Sequence, residues 1–297
     1  MVRVAPDSLV FPSMPFAGAD MPEDLWFKLG SVAVILAMGV LGGLLPWRLG
    51  GGKAEAAEGG FDLLSLGNCF AGGVIIAAGF VHLLGDAAGG FADAYPDVDF
   101  PWPFAIAAAS FIAILGIERV APRLAEQVDG LDHGGDPEAT VISAAASGAA
   151  FPYLLLLTLS IHSVIAGLAL GTQGSASGFT IILVAILAHK GSAAFALGVS
   201  MHRTGIPRPR AVPLILAFAA MTPLGVLLGV LLTALATSDA EARFEVWFDA
   251  IAAGTFLYIG ALDIIREEFI PARHGRRRRF LAAGTGLLVM TLVAIWT

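Results

Sequence analysis

Apolar runs of membrane-spanning length constrain the fold of this 297-residue chain more than any other feature. Hydrophobic residues make up 57% of the sequence and charged residues only 14%, whereas an ordinary soluble domain has about 25% charged residues. Because lipid cannot satisfy exposed backbone amides, runs of about 20 apolar residues cross a bilayer as helices. The sequence therefore predicts an all-α membrane protein and excludes a water-soluble globule.

We expect eight transmembrane helices, separated by charged, proline-rich and glycine-rich stretches. Their predicted limits are 25–49, 61–85, 102–121, 150–173, 178–201, 211–236, 246–267 and 279–296. Residues 1–24 are predicted to be an extracytosolic N-terminal segment, without the continuous apolar run of a cleaved signal peptide. Residues 25–297 then form one transmembrane domain, with a cytoplasmic loop at about 122–149.

The basic residues fall mainly on one side of this predicted bundle. Thirteen of the 17 Lys and Arg residues follow helices 1, 3, 5 and 7: Arg48, Lys53, Arg119, Arg123, Arg203, Arg208, Arg210, Arg266, Arg273, Arg276, Arg277, Arg278 and Arg279. The opposite side has only Arg3, Lys28 and Arg243, and Lys190 lies within helix 5. By the positive-inside rule, the basic side is cytoplasmic and both termini are extracytosolic.

Charge and cysteine content limit the other classes of function. The net charge is -7 and no clustered basic surface lies outside one short loop, which argues against a nucleic-acid partner. The single cysteine, Cys69, cannot form an internal disulfide and does not indicate a redox compartment. No Walker motif is present, and we predict no prosthetic group.

Two histidines lie near the middle of adjacent predicted helices, His162 in helix 4 and His189 in helix 5. The short connection TQGSAS predicts antiparallel neighbours whose imidazoles share one level. An ionisable group in a span costs a few kcal/mol, so each is a candidate functional residue. Neutral imidazole suits a borderline divalent ion such as zinc, whereas the alternative is two histidines that only form hydrogen bonds with neighbouring helices.

Each of these histidines is followed by a polar residue, Ser163 in helix 4 and Lys190 in helix 5. Lys190 lies about twelve residues from each end of its helix, too deep for its ammonium to reach the membrane surface. The ammonium therefore needs a partner or water. It either fills the place of a second cation or exchanges a proton.

Further ionisable residues lie toward the two ends of the predicted bundle. From the outer to the inner side they are His82, Asp86, Asp249, His202, Glu118 and Asp263. This order is the one expected for a cation pathway, and the alternative for each residue is an ordinary charge at a helix end.

Two predicted loops are acidic. The outer loop after helix 2 is predicted to present Asp86, Asp93, Asp97 and Asp99 without a Lys or Arg, as in a vestibule that concentrates cations. The cytoplasmic loop after helix 3 is predicted to be a flexible linker or, as the weaker alternative, a segment that touches metal. Its candidate residues are Asp129, Asp132, His133, Asp136 and Glu138.

Motifs within residues 66–268 resemble the ZIP (Zrt/Irt-like protein) family of divalent metal transporters. They are LGNCFAGGVIIAAGFVHLLGDA, LSIHSVIAGLALG, LAHKGSAAFALGVSM, MTPLGVLLG and GTFLYIGALDII. The resemblance implies a ZIP-like bundle of eight spans with extracytosolic termini, a homodimer, and movement of zinc or related metals into the cytoplasm. It also implies an elevator-like motion of helices 1, 4, 5 and 6 past helices 2, 3, 7 and 8. We expect the plasma membrane as the location.

The resemblance also implies roles for single residues. His162 and His189 resemble the helix-4 and helix-5 ligands of the transport site. The pair His189 and Lys190, with Ser163 and Thr222, is similar to a subgroup in which lysine replaces a neighbouring second metal site.

Two positions outside the transport site match the family as well. His82 resembles the helix-2 histidine of the plant and fungal members, where L-P-D often follows. Here Gly85 stands in place of that proline, and Asp86 keeps the carboxylate. Asp263 resembles an acidic position of helix 7 that is usually Glu.

One position departs from the family pattern. Helix 4 usually reads H-S-x-x-E-G, and this chain has Ala166 in place of the Glu, with Ala193 at the corresponding position of helix 5. A divalent ion between two neutral imidazoles then has no anionic ligand. Three solutions remain open: a weak site with retained waters, recruitment of Asn68 or Cys69 from helix 2, or a deprotonated Lys190.

Three functions are compatible with these residues. The first is a metal importer in which cations enter past His82 and Asp86 and leave toward Glu118 and Asp263. The second is a non-transporting relative, a sensor or scaffold that keeps the fold. The third is an intramembrane zinc hydrolase, which requires three protein ligands and a bound water. Because no H-E-x-x-H motif occurs, we expect a transporter rather than an enzyme.

Overall fold

The computed structural model describes residues 23–49, 63–119, 137–173, 176–233, 238–270 and 275–295. Helices account for nearly all of these residues, and the described ranges contain no strand. The prediction of an all-α chain is therefore confirmed for this part of the molecule. The predicted N-terminal segment lies almost entirely outside the described residues.

Eight helices are numbered here in chain order. They are α1 (Glu23–Leu44), α2 (Leu63–Ala94), α3 (Trp102–Arg119), α4 (Pro137–Thr172), α5 (Ala176–Arg203), α6 (Arg208–Thr233), α7 (Ser238–Tyr258, continued by Ile259–Ile265 and Arg266–Phe269) and α8 (Arg276–Ala294). A short helical turn, Pro46–Leu49, follows α1. Both α2 and α7 contain a π-helical segment, Ala78–Leu83 and Ile259–Ile265 respectively.

Three helices extend well beyond the apolar runs that predicted them: α2, α4 and α7, the last of which begins at Ser238 rather than at 246. α2 continues from the predicted end at 85 to Ala94, because its last part is rich in alanine and the helix stops only where Pro96 follows Tyr95. α4 begins at Pro137 rather than at 150, since proline suits the first turn of a helix and an alanine-rich stretch follows it. Hydropathy detected only the apolar part of each helix.

These longer helices correct the two predicted acidic loops. Asp86 and Asp93 belong to α2, and only Asp97 and Asp99 lie in the connection to α3. Residues 137–149 of the predicted cytoplasmic loop, including the backbone of Glu138, belong to α4. The other acidic-loop candidates lie outside the described residues: Asp129, Asp132, His133 and Asp136.

Within the described ranges, six helical stretches are long and apolar enough to cross a membrane. They are Phe27–Leu49, Leu63–Ala94, Leu155–Thr172, Ala176–Arg203, Arg208–Leu232 and Val246–Phe269. α3 contributes a shorter apolar stretch, Trp102–Gly116, and α8 begins with four arginines. The chain is thus a multi-pass membrane protein by helix length and composition, and the number of eight spans stays a prediction.

The helices divide into two packed groups. In the first group, α4 packs against α6 and α1 packs against both α5 and α6; in the second, α2 packs against α8 and α7 packs against α3 and α2. The groups meet mainly where α2 contacts α5, with a smaller contact between α4 and α7. The border between the α1/α4/α5/α6 group and the α2/α3/α7/α8 group therefore runs along α5.

Glycines allow α4 and α6 to pack with their backbones in close contact. A methyl group on Gly167 would overlap the carbonyl oxygen of Thr222, and one on Gly225 would overlap that of Val164. Small residues at four-residue spacing permit such approaches between membrane helices. This packing holds Thr222 of α6 beside the middle of α4, where the polar residues lie.

Candidate functional site

The two mid-helix histidines lie beside each other. His162 of α4 and His189 of α5 have ring centroids 5.7 Å apart, with an angle of 50° between the ring planes. Both side chains are buried, at 6% and 4% exposure. Phe256 of α7 covers them, with its ring centroid 4.6 Å from that of His162.

The ring nitrogens of this pair are available to a ligand. Within the described part of the chain, neither ring nitrogen of His162 has a hydrogen-bond partner, and Nδ1 of His189 has none. Buried polar atoms are normally paired, so such orphaned atoms require an explanation, which an ion or water can supply. The pair can therefore offer nitrogen ligands to a metal ion.

A third histidine lies next to the pair. The ring centroid of His82 in α2 is 6.2 Å from that of His189, and its Nδ1 lies 2.7 Å from Oδ2 of Asp86. We expected His82 near the end of helix 2, but α2 continues to Ala94 and His82 lies in its π-helical segment. The ring of His189 therefore lies close to the rings of both His82 and His162.

The amine of Lys190 is held by neutral groups. Its Nζ donates hydrogen bonds to Oγ of Ser163 (3.0 Å) and to the carbonyl oxygen of Phe218 (3.3 Å). The same nitrogen lies 3.8 Å from the centroid of the Phe218 ring, a cation–π distance. A lysine in the middle of a helix was expected to need a partner. In the structure, Lys190 has three: a hydroxyl oxygen, a carbonyl oxygen and the face of an aromatic ring.

A cavity of about 10 Å³ lies between these side chains, roughly the space of one water. Besides His162 and His189, its lining includes Ala166 and Ala193, the two positions at which the sequence lacks a carboxylate. In the described residues, no group of three or more His, Cys, Asp or Glu side chains is arranged to hold a metal ion. The protein atoms at this point therefore offer nitrogen ligands without an anionic ligand.

The other predicted site residues lie farther along the helices. Asp263 is buried in the π-helical segment of α7, while Asp249 lies nearer the start of that helix. Glu118 lies at the end of α3, and its side chain is outside the described part of the structure. His202 of α5 packs against Trp47, with ring centroids 5.7 Å apart.

Asn68 and Cys69, which were candidates to complete the site from α2, are both buried. Nδ2 of Asn68 donates a 2.9 Å hydrogen bond to Oε1 of Glu268. Its Oδ1, the atom that could ligate a metal, is buried without a hydrogen-bond partner in the described residues, so Asn68 stays a candidate ligand.

The sequence did not single out Glu268, the centre of a buried polar cluster. Its carboxylate accepts hydrogen bonds from Ser65 and Asn68 of α2, and one oxygen lies 2.6 Å from Nη2 of Arg203 in α5. Its backbone carbonyl accepts a 2.6 Å hydrogen bond from Nη1 of Arg279 in α8. This Glu268 cluster joins four helices across the border between the two groups.

The sequence offers no signal that separates Glu268 from the adjacent Glu267. In the structure, Glu268 lies four residues after the buried Ile264 in α7, and both residues project from the same face of the helix. A carboxylate on a buried face needs partners from neighbouring helices. The adjacent Glu267, by contrast, lies on the exposed face.

The fold and this site define a polytopic helical membrane protein with a buried histidine pair at the centre of its bundle. The model of the family described as ZIP Zinc transporter matches residues 25–148 and 131–294. The chain belongs to this family, and the resemblance seen in the sequence motifs is confirmed.

Individual relatives match over most of their length. The chain is 31% identical over 293 residues to Zinc transporter ZIP1 of Bos taurus, covering 89% of each chain. It is 26% identical over 307 residues to Zinc transporter ZIP2 of Mus musculus, covering 92% of this chain and 98% of that protein. For Zinc transporter 5 of Oryza sativa subsp. japonica, the identity is 28% over 319 residues, covering 94% and 90%.

These relatives are named as transporters, and the family is a transporter family. The protein is accordingly a transporter-family member and not an enzyme. The hydrolase alternative is thereby removed.

Proposed function

We propose that this protein moves zinc or a related divalent metal ion across the membrane toward the cytoplasm, with His162 and His189 as ligands of the transport site. The observation that carries the proposal is the meeting of two buried imidazoles, from α4 and α5, whose nitrogens lack partners in the described structure. Membership of the ZIP zinc transporter family supports zinc or a similar ion as the cargo.

The spacing of the rings suits one shared ion. Two imidazoles bound to a tetrahedral zinc ion at about 2.0–2.1 Å have ring centroids roughly 5 Å apart. The observed 5.7 Å requires only a small approach of His162 and His189. The cavity between them has roughly the space of one water, which is enough for a single ion.

His82 and Asp86 form the entry step of this proposal. Asp86 is half exposed and hydrogen-bonded to His82, whose ring lies 6.2 Å from that of His189. An ion attracted by the Asp86 carboxylate can pass to His82 and then to the pair. Asp263 and Glu118 provide carboxylates farther along α7 and α3 for the exit.

The orientation and the moving parts belong to the same proposal. The distribution of Lys and Arg supports a cytoplasmic basic side, extracytosolic termini and eight spans, and we propose the plasma membrane as the location. The α1/α4/α5/α6 group carries His162 and His189, whereas the α2/α3/α7/α8 group carries His82. This division supports an elevator-like movement of the first group past the second, in a homodimer.

Uptake of radioactive zinc tests the transport site. Cells that express the wild type, His162→Ala or His274→Ala are compared at equal surface levels of the protein. His162→Ala removes one of two ligands, so we expect uptake to fall by at least about tenfold, the equivalent of about 1.4 kcal/mol. His274→Ala is the matched control because no step of the proposal uses that residue. Equal uptake by His162→Ala and wild type would contradict the site.

A non-transporting sensor or scaffold is the second candidate. It is favoured by one observation: both Ala166 and Ala193 line the cavity, so an ion there has no carboxylate to balance its charge. A carboxylate introduced at position 166 distinguishes the two candidates. It should raise zinc uptake by a transporter and give no gain in a sensor or scaffold.

A further inference from the structure

A groove of about 630 Å³ separates α1 from α2, apart from the histidine pair. Leu41 of α1 and Leu45, which directly follows α1, form one wall. Phe70 of α2 lies on the other wall, and Ser192 and Phe195 of α5 form the floor. Direct contacts between α1 and α2 are few, so this groove is a gap in the packing at the border of the two helix groups. Its volume lies within the range of small-molecule sites, about 300–1,000 Å³.

The length of the groove matches one leaflet of a bilayer. Its lining extends along α1 and the following turn from Met38 to Leu49, which is roughly 16 Å at 1.5 Å per residue. One leaflet is half of a hydrocarbon core of about 30 Å. Leu41 is 70% exposed, and the groove wall is therefore open to an acyl chain from the lipid phase.

Two arginines lie at one end of this otherwise apolar groove. Arg48 follows α1 and Arg208 begins α6, and both line the groove at the end where the basic residues of the chain concentrate. Both side chains are exposed, and within the described residues neither forms an ion pair with a carboxylate. An apolar groove of leaflet length that ends in two unpaired guanidinium groups is complementary to an anionic amphiphile.

We propose that this groove binds an anionic phospholipid, with one acyl chain along α1, α2 and α5 and the phosphate at Arg48 and Arg208. Guanidinium groups bind phosphate oxygens through paired hydrogen bonds, and basic pockets between membrane helices on the cytoplasmic side recognise anionic headgroups. A zwitterionic headgroup adds a cation that these two arginines repel. The proposal does not depend on metal transport.

The proposed lipid site lies next to Lys190 and His189 along α5. Gly191 and Ser192, in the floor of the groove, directly follow Lys190 along α5. The bound acyl chain therefore contacts α5 at the border between the helix that holds His189 and the opposite group.

Native mass spectrometry of the purified full chain in detergent tests the headgroup preference. The probes are phosphatidylglycerol and phosphatidylcholine with identical acyl chains. The test variant is Arg48→Gln/Arg208→Gln, and the control is Arg210→Gln/Arg277→Gln, which removes two exposed arginines that do not line the groove. Equal thermal unfolding midpoints for the two variants show that both are folded.

We expect the wild type and the control to retain one phosphatidylglycerol per chain. Loss of both groove arginines is expected to weaken this binding by about tenfold or more, because each basic residue near a charged lipid surface contributes measurably to affinity. Two results would overturn the proposal: equal phosphatidylglycerol binding by the test variant and the control, or equally strong binding of phosphatidylcholine to the wild type.

Photocrosslinking gives an independent readout of the site. Phosphatidylglycerol with a photoreactive group on its acyl chain is expected to label residues 38–49 and 67–71. Labelling confined to other segments, or a crosslink that instead joins two copies of the chain through this groove, would refute the lipid site.

Discussion

Among single residues, Ala166 is the one that most limits the affinity of the metal site that we propose at the histidine pair. Ala166, Ala193 and Lys190 line the same cavity as the two histidines, so a divalent ion meets neutral nitrogens and an amine but no carboxylate. Bringing an ion out of water without a counter-charge is costly. We therefore expect wild-type affinity for the ion to be low.

Ala166→Glu should raise zinc affinity, because the new carboxylate would lie beside both imidazoles. A charged contact worth about 1.5–3 kcal/mol corresponds to at least about tenfold in affinity. Radioactive zinc uptake at low external zinc measures the gain. Ala166→Gln is the matched control, since it has the same shape without the charge. If Ala166→Glu inserts normally and shows no gain, the non-transporting candidate is supported instead.

The sequence predicted that α4 and α5 are neighbours and that His162 and His189 lie beside each other. This was possible because the depth of a residue along an apolar run can be estimated from residue spacing. The sequence did not anticipate the position of His82. His82 lies in the π-helical segment Ala78–Leu83 of α2, an irregularity that residue spacing does not reveal. The burial of Glu268 was not predicted for a related reason. Only the packed bundle reveals which of the two adjacent carboxylates, Glu267 or Glu268, is buried.

At the scale of helices, the Glu268 cluster connects α7 to α2, α5 and α8 through hydrogen bonds and an ion pair. The carboxylate has three side-chain partners and is only 2% exposed, while its partner Arg203 is about one-third exposed. Removing a buried charge partner leaves polar groups without compensation. The cluster should therefore contribute to the stability of the bundle as well as to the closeness of its two groups.

Glu268→Gln should lower the free energy of unfolding by about 1–3 kcal/mol, because the Arg203 ion pair and part of the hydrogen bonding are lost. The thermal unfolding midpoint of the purified protein in detergent reports this change. Glu267→Gln provides the control, since Glu267 lies on the exposed face of the same helix turn. An unfolding midpoint that falls equally in both variants would show that the buried cluster has no special stabilising role.

The presence of the helices could be predicted from the sequence, whereas the residues at which they begin and end could not. Hydropathy marks the part of a helix that lies in lipid, and the polar or alanine-rich turns of α2 and α4 continue beyond it. Proline explains two of these limits: Pro137 opens α4, and Pro96 follows the residue at which α2 stops.

At the scale of the whole molecule, the asymmetry of Lys and Arg predicts the orientation in the membrane. The loop after α2 contains Asp97 and Asp99 without a basic residue, whereas α8 begins with the run 276–279 of four arginines. The positive-inside rule therefore predicts that these two regions face opposite sides, with the arginine run in the cytoplasm.

Labelling of single cysteines checks this orientation. In a Cys69→Ser background, we expect Asp97→Cys to react with a membrane-impermeant maleimide in intact cells. Arg277→Cys should react only after the membrane is permeabilised. Both positions are exposed, so burial does not explain a difference between them. The reverse pattern of labelling would show that the termini are cytoplasmic.

The position of a metal ion in crystals soaked with zinc or cadmium can be located by anomalous scattering. We expect a peak between the rings of His162 and His189, with zinc at about 2.0–2.1 Å from one nitrogen of each ring. A peak that lies elsewhere in the bundle, with none between these two rings, would refute the proposed metal site.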